Sequence, residues 1–119
     1  MDEDVRRAIA ALNDEADPMH ADHTPAVREL AGMGLRAVEP LSAPLLADDQ
    51  DTRLRAQRAW EGIVYARHGF VSGQGFPDDA AEAAAVADLS AVGYSFEEGR
   101  SEREAAVRRL REWLERAEE

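Results

Sequence analysis

The first residues to weigh are those able to do chemistry. Asp17, His20, Asp22 and His23 fall within seven positions, in Asp-Pro-Met-His-Ala-Asp-His. They offer three or four nitrogen and oxygen donors of the kind that hold a divalent cation. No second ligand cluster can be placed beside them, so solvated side chains in a polar loop are the stronger expectation. Asp48-Asp49-Gln50-Asp51 lacks the glycine and the closing glutamate of a calcium loop, and reads instead as capping for a following helix. Gly73-Gln-Gly75 follows no strand and has no third glycine, which excludes a dinucleotide fingerprint. Ser72, Ser90, Ser95 and Ser101 stand in no nucleophile-elbow context, and His68 has no nucleophile identifiable from spacing. With no cysteine, thiol nucleophiles, disulfides and cysteine-based zinc sites are excluded. No catalytic group, metal or cofactor is therefore expected.

Residues suited to recognition are easier to find. Leu54, Arg58, Glu61 and Tyr65 recur at i, i+4, i+7 and i+11, which makes a second face on one helix, opposite its inward stripe. Tyr and Arg are over-represented among binding hot spots, although such a ridge also suits packing against a neighbouring helix. Phe70 and Phe76, and then Tyr94 and Phe96, place four aromatic rings in two successive loops. They form either a recognition patch or a lid folded back over the core.

The elements that carry these residues read as helices throughout. Val5, Ile9 and Leu12 mark a short amphipathic helix over 4–12, and the polar stretch 13–23 reads as a loop. Thr24-Pro25 supplies an N-cap and a proline at the first helical position, with Gly32 and Gly34 as stops. Residues 36–47 carry Val38, Leu41 and Leu45 at helical spacing; Pro40 fits a first turn, whereas Pro44 implies a kink or a late start. Asp48, Asp49 and Asp51 then open the best-patterned helix, about 52–68, with Thr52, Ala56, Ala59, Trp60 and Ile63 inward, a left-handed stop at Gly69, and Phe70 placed for a closing contact. After a 71–77 loop, Asp78 or Asp79 caps a helix burying Ala85, Val86, Leu89 and Val92, ended by Gly93. Ser101 with Glu104 reads as a capping box for a last helix carrying Val107, Leu110, Trp113 and Leu114, with Glu104–Arg108 and Glu112–Arg116 as i, i+4 pairs. No alternating strand pattern appears, so the fold class is all-α.

The run from Val27 to Val38, then Pro40-Leu41, Leu45-Leu46, Asp48-Asp49 and Thr52-Arg53 through Ala56, Ala59, Trp60 and Ile63, resembles a HEAT repeat. That resemblance covers about one repeat, residues 25–68, with Thr52 where the family usually carries valine and Pro44 inside the first helix. It implies a single domain forming a short HEAT-like α-α superhelix of about five or six helices. Residues 1–23 would be an N-terminal cap helix and loop, 24–69 the repeat, and 70–119 a divergent helix pair. Such units cannot bury their apolar faces alone, so either the atypical first and last helices close the ends or an open end meets another protein or a second copy of the chain. The family implies a protein interaction or scaffold module with no catalytic activity of its own; the alternatives are a lyase-type accessory enzyme on the same frame and a structural subunit of a larger assembly.

Composition sets the outer bounds. The 119 residues suffice for one core, and 45% hydrophobic residues argue against global disorder. A net charge of -11 would repel a phosphate backbone, so nucleic acid is not an expected partner. The acidic N-terminus lacks a signal-peptide pattern and no apolar run is long enough to span a bilayer, which gives a cytoplasmic, membrane-free expectation. All 14 basic residues are arginine, which fits adaptation to high salt or a coding bias equally well.

Overall fold

The computed structural model describes residues 2–119. Six α-helices follow in order: α1 (Glu3–Ala10), α2 (Pro25–Ala31), α3 (Ser42–Leu45), α4 (Gln50–Arg67), α5 (Asp79–Val92) and α6 (Arg100–Ala117), with 3₁₀ turns at Gly34–Ala37 and Glu39–Leu41. The protein is all-α. The β-type pairing among the described residues is one isolated bridge between Val71 and Gly75.

Helix starts are set by side chains that take up otherwise unbonded N–H groups. The Asp2 carboxylate accepts from the Asp4 N–H at 2.9 Å, Thr24 Oγ1 from Val27, Asp49 from Thr52, and Asp78 from Ala81. Of the acids at 48–51, Asp49 is the one that caps α4. At the far end of α4, Gly69 (φ 86°) takes the left-handed conformation and the Phe70 N–H closes on the Tyr65 carbonyl at 3.0 Å.

Several sequence expectations are corrected. The capping box at Ser101 is absent: α6 begins at Arg100 behind Gly99, which has no side chain to cap with, and Glu104 pairs with Arg100 at 3.5 Å instead of with Arg108. Glu112–Arg116 is likewise not an ion pair among the described residues. Val86 is 53% exposed, because α5 is so rich in alanine that Ala85 and Val92 alone fill its buried side, with Leu89 at the margin. Residues 36–47 make two 3₁₀ turns and the single turn of α3, since Pro40 and Pro44 each withhold the N–H that a continuous helix would need.

α4 is the central element. It packs on α2, α3, α5 and the first 3₁₀ turn, while α1 covers α2 and α6 covers α5 and α3. Its buried face is Ala56, Ala59, Trp60, Ile63 and Val64, together with Arg55, which sequence pattern alone puts outside. Thr52, expected inward, is half-buried; its hydroxyl donates to Asp49 at 2.6 Å and accepts from Asn13 at 3.0 Å. Trp60 meets Trp113 of α6 edge to face, 4.9 Å between centroids and 85° between planes, and these two large rings lock the two long helices in register. One continuous core results, running from Val5 to Leu114.

Candidate functional site

Between α2 and α4 lies a groove of about 560 Å³ with mainly apolar walls. Its existence follows from small residues. A Cβ on Gly62 would sit 2.5 Å from the Ala31 Cβ, so the two helices approach closely only because position 62 is glycine. Above that contact, Val27, Ala31, Gly32 and Ala66 leave the walls low, and larger side chains form the rim: Arg58, Glu61 and Tyr65 from α4, Arg28 from α2, Phe70 and Ser72 from the α4–α5 loop.

Three of the four ridge residues, Arg58, Glu61 and Tyr65, thus come together on one wall. Leu54 lies outside it, half-buried nearer the start of α4. Of the loop aromatics, Phe70 and Phe76 join Tyr65 in a mutually packed trio, with centroids 5.7 Å (Tyr65–Phe70), 5.5 Å (Tyr65–Phe76) and 5.2 Å (Phe70–Phe76) apart. Tyr94 and Phe96 go elsewhere. Tyr94 is buried with its hydroxyl donating to the Leu45 carbonyl at 2.6 Å, and burial pushes its phenol up to about 12. Phe96 packs against the core; its N–H donates to Gln57 at 2.9 Å and its carbonyl accepts from Arg53 at 3.1 Å. The four rings are therefore not one patch.

The charged groups at the groove satisfy one another. Arg58 donates from Nε to Asp22 at 2.8 Å and from a terminal nitrogen to Glu61 at 2.8 Å, while Gln57 donates to Glu61 at 3.2 Å. The Arg58 hydrogen bond, working against partial burial, holds the Asp22 carboxyl below its usual range. Burial disfavours the Arg58 charge, but Asp22 and Glu61 outweigh it and raise the guanidinium further. Asp22 and Arg58 are thereby held in their charged forms, which is poor chemistry for proton transfer and good chemistry for a rigid rim.

The remaining loop ligands do not converge. Asp17 lies 3.6 Å from His20, and His23 lies 3.7 Å from Asp22, which Arg58 occupies. Among the described residues no group of three or more metal-competent side chains meets. The loop itself is pinned: Arg55 donates to the Ala21 carbonyl at 2.8 Å and to Asn13 at 2.7 Å, and Thr24 Oγ1 donates to the Leu12 carbonyl at 2.8 Å.

His68, at the end of α4, gains a partner that spacing did not offer. Its Nε2 lies 2.7 Å from Asp88 of α5, a contact across 20 residues visible only once α5 packs on α4. Gly62 is the other residue missed; its signal is a glycine retained inside an otherwise strong helix, which usually marks close backbone approach.

Comparison with family models, with curated proteins and with solved structures returns no match. Among the described residues no helix is long and apolar enough to cross a membrane.

Proposed function

We propose that this protein is an interaction module of the HEAT-like kind, without catalytic activity of its own, and that the α2/α4 groove is where it holds a segment of another protein. One observation carries the reading: an open apolar groove whose rim combines Tyr65 and Phe70 with charged groups that already neutralise each other. Such a surface supplies an anchor pocket with aromatic walls and a satisfied polar margin, the anatomy of a binding hot spot. The net charge of -11 selects the partner's sign, because it attracts cationic segments from a distance and repels acidic ones. The occupant is thus a basic segment presenting one large apolar side chain.

Selection from a random peptide display library, followed by calorimetry on the enriched peptides, tests this. Enrichment of an aromatic or aliphatic anchor flanked by Arg or Lys is expected, with binding weakened roughly tenfold or more by Phe70→Ser. Phe70 is 37% exposed, so that change leaves the core intact. Enriched peptides indifferent to both Phe70→Ser and Tyr65→Ala would move the binding surface off the groove. A dimer in sedimentation, dissolved by Phe70→Ser, would make the occupant a second copy of the chain.

A further inference from the structure

A second cavity, of about 420 Å³, opens where the last turns of α4 and α6 meet the C-terminal part of α5. Arg67, His68, Asp88, Trp113 and Arg116 line it, with Ala91 and Ala117 completing the wall. Arginines near helix C-termini ordinarily complement the dipole, and that alone would say nothing about a ligand. Here two of them reach the same concavity. Neither Arg67 nor Arg116 makes an ion pair among the described residues, although acidic side chains outnumber arginines 25 to 14. The guanidinium of Arg67 lies 5.9 Å from the centroid of the Trp113 ring, and its other contact is a long 3.4 Å hydrogen bond to the Ala117 carbonyl. Stacking on an aromatic ring holds a guanidinium in place while leaving its outer edge free to donate. Asp88, the one acid of the cavity wall, is engaged by His68 at 2.7 Å.

We propose that this cavity is a receptor for the carboxylate of a monoanionic organic acid, with Arg67 and Arg116 as its two guanidinium donors. Planar guanidinium forks match a carboxylate through paired hydrogen bonds. The count of charges favours one negative charge over two: Asp88 and the carbonyl ends of α4 and α6 face the same space, and a dianion would meet their repulsion. Trp113, Ala91 and Ala117 give the acid an apolar surface for its body. The acid can be a free small molecule or the carboxylate end of a polypeptide, which present the same group.

The test is a titration of the isotopically labelled protein followed by backbone amide resonances, at constant ionic strength set with sodium chloride. Sodium benzoate stands for the free acid, N-acetylphenylalanine for a chain end, N-acetylphenylalanine amide for the same body without charge, and inorganic phosphate, at a pH well above its second ionisation, for a dianion. Saturable shifts at His68, Ala91 and Ala117 with benzoate or N-acetylphenylalanine, absent with the amide, support the site. Benzoate bound at least as well as N-acetylphenylalanine assigns the free acid, and the reverse order assigns the chain end. Arg116→Gln, a change at an exposed residue, and Arg67→Gln are each expected to weaken binding about tenfold or more. Shifts that fail to saturate, that appear equally with the amide, or that survive the double substitution in a variant with an unchanged melting transition would overturn the proposal. Phosphate binding tighter than either carboxylate would overturn the monoanion assignment.

Discussion

Arginine is the residue type that ties this structure together, and its geometry explains why lysine would not serve. Arg53 donates from Nε to the Phe96 carbonyl and from one terminal nitrogen to the carbonyls of Ala47 and Asp48, at 3.1, 2.9 and 2.8 Å. Arg103 bridges Glu98 and Ala47, Arg109 reaches the Val92 carbonyl at 2.8 Å, and Arg55 bridges Ala21 and Asn13. Arg53, Arg103 and Arg55 are forks that reach from a helix to two or more separate acceptors, a reach that a single ammonium centre cannot reproduce. A lysine-free chain also has no side-chain ammonium titration on the alkaline side, which leaves its tyrosines open to measurement there. Burial raises the Tyr94 phenol from 10.0 to about 12. A raised folded value means that its contribution is complete below about pH 10 and is lost as the pH climbs toward 12. Urea unfolding at about pH 8 and about pH 11 is therefore expected to show a loss of stability in the parent protein that Tyr94→Phe reduces. At the lower pH Tyr94→Phe itself costs about 1 kcal/mol, the worth of the hydrogen bond to Leu45. An equal alkaline loss in both proteins would place the titrating group elsewhere.

At the scale of elements, glycine and proline decide what hydrophobic periodicity leaves open. The stripe of α4 was legible because Ala56, Ala59, Trp60 and Ile63 repeat at helical spacing and all are buried. The segment 36–47 was legible only in part: Val38, Leu41 and Leu45 are buried as expected, yet two prolines convert one helix into turns. Arg55 was illegible, since charge argues for the surface until the carbonyls that satisfy it are in place. Gly62 signals a close approach but not its partner, because its neighbour Ala31 lies on another helix. Gly62→Ala tests that contact. Helix propensity alone favours alanine by about 1 kcal/mol, but a Cβ 2.5 Å from the Ala31 Cβ forces α2 away from α4. A net destabilisation of about 1 to 3 kcal/mol in urea unfolding is expected, with the groove altered at its floor. A more stable Gly62→Ala protein would show that the helices separate freely.

For the molecule as a whole, charge is the dominant global property. A surplus of 11 acidic groups spread over a domain with a radius of gyration of 13.6 Å opposes compaction through self-repulsion. Its exposed ion pairs, such as Arg6–Glu3 and Arg7–Asp4 at 3.8 and 3.5 Å, contribute little in return. Going from about 0.01 M to about 1 M sodium chloride shortens the screening length from about 30 Å to about 3 Å. A melting temperature higher by several degrees is the expected outcome of calorimetry across that range; a fall would mean that attraction within ion pairs outweighs net repulsion. What the amino-acid sequence determined alone was local: the helical class, the caps at Thr24 and Asp49, the stop at Gly69, and the acidic surface, each set by neighbours within a turn or by composition. The tertiary structure alone decided which rings face a groove and which fill the core, that Arg58 would find Asp22, and that Arg67 and Arg116 would share a cavity. Those outcomes depend on how helices distant in sequence approach one another, and that approach is governed by packing at Gly62 and the Trp60–Trp113 contact.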